Sequence, residues 1–479
     1  MNSNNIANSV SAVSLNEIDN ASGDAAQIAY LSKLESLSLY IPRKISLEEL
    51  LENNPPDFSY HKDYFAYILH LISALPSRNW ELIDRKGFTL IGKSWLQKRI
   101  HGYKKYVDYL VSNGILEENR HYVVGVKPGG LKIANAYASE LNEILITKRT
   151  LIKSIVHSNN KKFNLEKTEE MSFLKKWFNE KIEVDLEGAT ELLKTLAEKE
   201  DAESEGEDIS VQRLNMRLLP LLELKLKQNL QFNIDNTGLR LHTPLTRTMK
   251  ELRKFISYEG KTLCSIDIVN SQPYFCRLLF DETLFKKNNI KDKISNPLLT
   301  SHTLFPIMLV EKIISIKNKE DVKKFLNMVS GGVFYEIFGQ VLKDANLISG
   351  DIPNSEIRDK VKDITFSAIY SANTSIGHNP AIKIFAQLFP HVYEMFKIIK
   401  KGHGNSRHLP ILLQKLEAEL ILEKICKSIN KAYPGIPLFT VHDSIVTTEE
   451  NVEVVKNFML KILRKNIGIA PKLKVERWE

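Results

Sequence analysis

Three short stretches of this chain carry side chains whose types and spacing can do chemistry. The first, Leu263-Cys264-Ser265-Ile266-Asp267-Ile268-Val269-Asn270-Ser271-Gln272-Pro273, runs an apolar strand into one aspartate, then a polar turn and a helix. An aspartate at a strand end is fixed in position yet accessible, as a metal-binding carboxylate must be. Taken alone, Asp267 is read first as a helix N-cap, a common use of that residue type. The second stretch, Pro437 to Thr447, reads as a β-hairpin with His442-Asp443 at its tight turn between apolar and β-branched flanks. In the third, Arg358, Lys362, Phe366 and Tyr370 follow one another at four-residue steps, so on a helix they share one face. Two cations followed by two aromatics suit a triphosphate with a stacked base. A surface helix with a buried aromatic end has the same pattern.

These residues need elements to hold them. At 479 residues the chain has room for two to four domains, and 43% hydrophobic with 26% charged residues is ordinary for a globular protein. No apolar run approaches the roughly 18–20 residues of a spanning helix, so no membrane partner is expected. Cys264, Cys276 and Cys426 are odd in number and far apart, which argues against a disulfide framework and fits a reducing, cytoplasmic setting. The net charge is +8, and the acidic stretch 198–208 conceals a still more basic remainder. Such a body suits a polyanionic partner, most simply nucleic acid; an A/T-rich genome would produce the same lysine content.

Along the chain, residues 1–30 read as a disordered tail and 31–80 as helical, with an apolar stripe through Tyr64, Ile68, Leu69, Ile72 and Leu75. A second helical stripe runs through Trp95, Ile100, Tyr103, Val107 and Leu110 and is closed by Gly114. Strand-like pieces follow at 122–124 and 131–133. This order resembles a winged helix-turn-helix over about 60 residues, within a domain at 31–140; the resemblance implies Lys98, Arg99, Lys104, Lys105 and Lys127 as DNA contacts. Residues 141–208 read as a helical connector ending in a solvated acidic linker, and 209–479 as one α+β unit.

Taken together and in this order, the strand-end aspartate, the Arg-x3-Lys-x7-Tyr helix and the His-Asp hairpin resemble the core of A-family nucleic-acid polymerases. That group holds DNA polymerase I-type enzymes and single-subunit phage-type RNA polymerases, and the resemblance covers residues 230–479. It implies a right-hand palm built on an antiparallel sheet, with helical fingers inserted at about 281–410. It further implies that Asp267 and Asp443 hold two divalent ions, Mg²⁺ with Mn²⁺ as a substitute. Lys362 is then catalytic on the triphosphate side and Arg358 a phosphate clamp. Phe366 and Tyr370 pack against the incoming nucleotide, and Gln272 stands where DNA polymerases of the family carry a glutamate gate against the ribose 2′-hydroxyl. Arg240, Arg247, Lys250, Arg253, Gln414 and His442 are implied contacts to template and primer. Glu417 reads as an ordinary helix-surface charge.

The departures bear on the sugar. Gln272 keeps the bulk of a gate, which favours deoxynucleotides, whereas Ser444 after the second aspartate is the form of the RNA polymerases. The string DI-x-NSQP is familiar from compact polymerase-like proteins of phages, plasmids and mobile elements. The expectation is a template-directed nucleotidyltransferase, first a DNA-templated DNA polymerase without proofreading, acting on DNA primer-template and nucleoside triphosphates, with an unidentified helicase or primase as partner. A small RNA polymerase or primase, template-independent nucleotide addition, and a DNA-binding replication initiator with an inactive palm are the alternatives.

Overall fold

The computed structural model describes residues 35–119, 129–160, 163–202, 210–227, 230–285, 304–348, 354–401 and 407–479. The expected tail, the strand at 122–124, Lys127 and the acidic residues 203–208 lie outside these. The chain divides into two compact units, residues 1–161 and 162–479.

In the first unit, β1 (Leu37–Pro42), β2 (Thr89–Leu90), β3 (Leu116–Asn119), β4 (Gly130–Ile133) and β5 (Leu141–Ile146) accompany helices α1 (Lys62–Arg78), α2 (Lys93–Gln97) and α3 (Tyr103–Ser112). The expected helical content of 31–80 needs correction at its start, because Leu37–Pro42 is a fully buried strand pairing antiparallel with β5. Local periodicity cannot report a partner so distant in the chain. Helix α1 turns the expected stripe to the core that holds Leu96, Val107, Leu110 and Leu131: Ile68, Leu69 and Ile72 are buried, Tyr64 and Leu75 half-buried, and Phe65 joins them. Strands β2, β4 and β3 form a three-stranded antiparallel sheet in that order. Helix α3 ends as its glycine predicts: Gly114 has φ +69°, its N–H bonds to Val111, and the Ile115 N–H bonds back to Leu110. That double closure is what a left-handed residue at this position permits.

In the second unit, β6 (Ile182–Val184), β9 (Ile256–Tyr258), β10 (Lys261–Ile268), β11 (Phe439–Val441), β12 (Ser444–Thr448) and β13 (Leu473–Arg477) form one sheet, and β7 (Asn233–Ile234) pairs with β8 (Leu241–His242) in a separate ribbon. Every pairing is antiparallel, with β10 central: β12 lines one edge, β9 and β13 the other. Thus the unit is α+β. The stretch expected as a helical connector supplies β6 to this sheet, and acidic residues 198–202 continue the Leu186–Ala202 helix rather than opening a linker.

Side chains of β10 alternate as a strand requires. Cys264, Ile266 and Ile268 join the large core shared with helix α7 (Val452–Ile467), whereas Leu263 faces a second core with Phe439, Val446, Tyr258 and Trp478. Helix α4 (Ser210–Leu226) covers that second face through Leu214, Leu218 and Leu221. Between β10 and the C-terminal hairpin the described chain is helical, built on Phe325, Phe334, Phe338, Phe385, Phe389 and Phe396, and includes α5 (Asn354–Tyr370). Helix α6 (His408–Ala418) runs directly into a π-helical stretch, Glu419–Cys426. The three cysteines are buried and unpaired with one another. Among the described residues no helix is long and apolar enough to cross a membrane.

Candidate active site

The site begins where two neighbouring strands end. Leu263 to Ile266 of β10 pair with Thr448 to Ile445 of β12, so Asp267 arrives beside Ser444, the first residue of β12. The Ser444 hydroxyl donates to Asp267 Oδ1, and the Ser265 hydroxyl donates to Oδ2 at 3.0 Å. The N-cap reading of Asp267 does not hold, since the following helix starts at Ser271 with Asn270 in the N-cap position.

Asp443 comes from the adjoining turn. Val441 pairs with Ser444, so β11 and β12 close over a two-residue turn made by His442 and Asp443. His442 takes φ +56° and Asn270 φ +57°, left-handed conformations that cost a non-glycine residue free energy. Each strained residue adjoins one of the two strand ends that carry a carboxylate. The Asp443 carboxyl is held above the ordinary range, first by burial and then by the facing Asp267 charge, while Ser271 pulls the other way. The two carboxylates therefore share one electrostatic environment.

Helix α5 brings the cations and aromatics. Its inner face is Ile357, Val361, Thr365, Ala368 and Ile369, which leaves Arg358, Lys362, Phe366 and Tyr370 on the other. The Arg358 guanidinium meets Glu336 at 2.5 Å and reaches the Asn270 side-chain oxygen at 3.4 Å. Lys362 is exposed, with Nζ 5.7 Å from the Phe366 ring centroid. Phe366 and Tyr370 stack with centroids 5.3 Å apart at 21°. Burial pushes the Tyr370 hydroxyl up, so it remains a donor, and it donates to Gln272 Oε1 at 3.0 Å. Helix α5 thus touches the segment after Asp267 at two points, Asn270 and Gln272.

Arg240 sits on a rigid turn. The Asp235 carboxylate accepts from the N–H groups of Thr237, Gly238 and Arg240 and meets His242 Nε2 at 3.1 Å. Gly238 lies against Gln414, whose Oε1 would be 2.6 Å from an added Cβ. Arg240 directs Nε and Nη2 to Glu417 Oε1 at 2.9 and 2.7 Å.

Glu417 is where the sequence misleads. It is 1% exposed, not a surface charge, and the Gln272 amide donates to its second oxygen. Burial pushes its carboxyl up to about 7 against the pull of Arg240. One signal was present: Glu417 stands four residues after Leu413 and three before Leu420, within the apolar stripe of its helix.

Two other expected contacts, Arg247 and Lys250, are taken up by other carboxylates. Arg247 is ion-paired with Glu223 of α4, and Lys250 with Glu476 at 2.6 Å. Arg253 is half-buried, 5.8 Å from the Trp478 ring centroid and within electrostatic reach of Asp267. His442 is exposed at its turn and Gln414 half-buried. In the first unit Arg99 stacks on Trp95 at 3.6 Å, whereas Lys98, Lys104 and Lys105 are exposed.

No family model matches the chain, and no curated protein matches it. Among solved structures it is similar to one described as the POL domain of Pol1 from M. smegmatis in complex with DNA primer-template and dNTP. The two are 12% identical, the match covers 69% of this chain and 73% of that one, and the TM-score is 0.37.

Proposed function

We propose that this chain is a template-directed nucleotidyltransferase, in the first place a DNA-templated DNA polymerase without proofreading. One observation carries the reading: Asp267 at a strand end and Asp443 in the adjoining turn feel each other's charge, and the helix that bears two cations and two aromatics is hydrogen-bonded to Asn270 and Gln272, three and five residues after Asp267. Carboxylates that repel each other, set beside groups suited to phosphate and base, fit the joining of a 3′-hydroxyl to a nucleoside triphosphate.

The donor set suits a hard divalent cation. Asp267 and Asp443 offer only oxygen, and among the described residues no third His, Cys, Asp or Glu completes a cluster. Mg²⁺ is commonly held in this way, by one or two carboxylates with water and substrate phosphate filling its other positions. When bound, such ions favour the alkoxide form of the primer 3′-hydroxyl and neutralise the triphosphate.

The chain's own groups do the rest. Arg358, whose fork now spans Glu336 and Asn270, turns to phosphate oxygens. Lys362, exposed one turn further along the same face, holds those phosphates and hands a proton to the departing pyrophosphate. The Phe366–Tyr370 stack receives the incoming base. Gln272 fills the space beside the sugar, and Arg240 with Gln414 borders the primer–template. In the first unit, the order α1-β2-α2-α3-β3-β4 and the sheet order β2-β4-β3 support a winged helix-turn-helix that binds duplex through the exposed lysines of α3.

The test is extension of a labelled primer on a DNA template with Mg²⁺, with dNTPs and rNTPs in separate reactions and Asp443→Ala beside the wild type. Templated extension that disappears in the variant supports the proposal; activity unchanged by Asp443→Ala refutes it. RNA synthesis is the second reading, motivated by Ser444 directly after the second aspartate, and a preference for rNTPs would select it.

A further inference from the structure

Gln272 is held at both ends. The residue is 6% exposed; its amide nitrogen donates to Glu417 and its carbonyl oxygen accepts from the Tyr370 hydroxyl at 3.0 Å. An amide has a donor end and an acceptor end, and an ionised carboxylate only accepts. Ionised, as it is above about pH 7, Glu417 therefore decides which way Gln272 points. Arg240 fixes Glu417 in turn, with two nitrogens on its other oxygen. The series Arg240–Glu417–Gln272–Tyr370 runs from the Asp235 turn to the end of α5 through side chains alone.

We propose that Glu417 is the positioning residue for sugar discrimination, acting through Gln272. This rests on the polymerase reading above. With both ends engaged, Gln272 presents its bulk to the sugar and keeps its carbonyl oxygen occupied by Tyr370. A ribose 2′-hydroxyl brought there meets a wall and loses its hydrogen bonds to water without replacement, which is a strong basis for rejection. Without the Glu417 carboxylate, the Gln272 amide can turn and offer an oxygen or an N–H to that hydroxyl. Ribonucleotides are then tolerated while the gate residue itself is unchanged. No acid at position 272 is needed, because the carboxylate is supplied by α6.

The experiment measures kcat/KM for a dNTP and its matching rNTP on one primer–template, for the wild type, Glu417→Gln, Gln272→Ala and the double variant Gln272→Glu with Glu417→Gln. Glu417→Gln is expected to lower the dNTP/rNTP ratio about tenfold or more, the scale of one hydrogen bond to a charged group. The double variant exchanges carboxylate and amide between the two positions. Its carboxylate, now at position 272 in the short helix after Asp267, accepts from both Tyr370 and the amide now on α6. The oxygen of that amide accepts from Arg240, and the ratio is expected to recover. A purely structural Glu417 would slow both substrates alike and leave the ratio where it was. Such a result in Glu417→Gln, with the ratio lost in Gln272→Ala, overturns the role of Glu417 and leaves the polymerase reading intact. Should the single variant not fold, a double variant with the low ratio of Gln272→Ala overturns it equally. A wild type inactive with both substrates fails the polymerase reading and this inference with it.

Discussion

The Lys400 ammonium lies 3.0 Å from the main-chain oxygen of Ser371, the residue after Tyr370, and 3.1 Å from that of Ala368. A buried cation thus closes the C-terminal end of α5, where main-chain carbonyls lack helical partners and the helix dipole is negative.

Burial lowers the Lys400 pKa from 10.5 to about 8. Two effects of similar size then oppose each other in Lys400→Met: lost carbonyl hydrogen bonds and relief of a desolvated charge. The net change in unfolding free energy is expected to stay within about 2 kcal/mol. The KM for nucleotide should rise several-fold as the end of α5 loosens, a split that steady-state kinetics would register. The pH dependence has a definite sign. Between pH 8 and 10.5 the unfolded chain holds this proton more tightly than the folded one. Stability conferred at position 400 therefore rises with pH across that window, and Lys400→Met should lack the rise in denaturant titrations.

Asp443 and Asp267 repel each other in the absence of a cation, and the raised Asp443 pKa means that ionising it opposes folding. Asp443→Asn in EDTA is expected to melt about 2–4 °C above the wild type. Adding Mg²⁺ should raise the wild-type midpoint and leave that of the variant unmoved. Calorimetry with and without the ion checks both statements; a variant that still gains stability from Mg²⁺ would count against this pair as the metal site.

The Asp235 turn should set an acid limit on the fold. Burial alone would raise this carboxyl, but His242 and the N–H groups of Gly238 and Thr237 outweigh it and bring it down to about 2. A depressed carboxyl stabilises above its unfolded value of 3.8 and loses that contribution as pH falls toward 2. Asp235→Asn is expected to cost about 2 kcal/mol at neutral pH and to flatten the acid limb. It should also weaken primer–template binding, because Arg240 and Gln414 both rest on this turn.

Duplex binding by the first unit would be electrostatic. Replacing Lys104 and Lys105 together by alanine is expected to reduce the slope of log affinity against log salt by roughly 2 in the full chain. Fluorescence anisotropy with a DNA duplex at several salt concentrations measures this. An unchanged slope would place the duplex contact elsewhere.

Features whose partners lie close in sequence were legible from the residues themselves. The four-residue steps from Arg358 to Tyr370, the left-handed Gly114 and the hairpin closed by His442 and Asp443 all stand as their local pattern predicts. Each depends on helix pitch, a glycine's backbone freedom or a two-residue turn, and these are settled within a few residues.

Features whose partners lie far away were not. Leu37–Pro42 is a strand because β5 pairs with it, and Ile182–Val184 because β9 does. Asp267 changes from a capping candidate to half of a carboxylate pair only when β12 brings Ser444 and Asp443 beside it, 177 residues onward in the case of Ser444. Glu417 looks like one more acid on a helix until Arg240, also 177 residues distant, and Gln272, 145 residues distant, close around it in the core. Residue types and spacing thus fixed which side chains can do this chemistry and the local element each rides on. Which of them meet was set by the folding of the whole chain, because the free energy of a buried charge depends on the groups that surround it, and those come from distant segments.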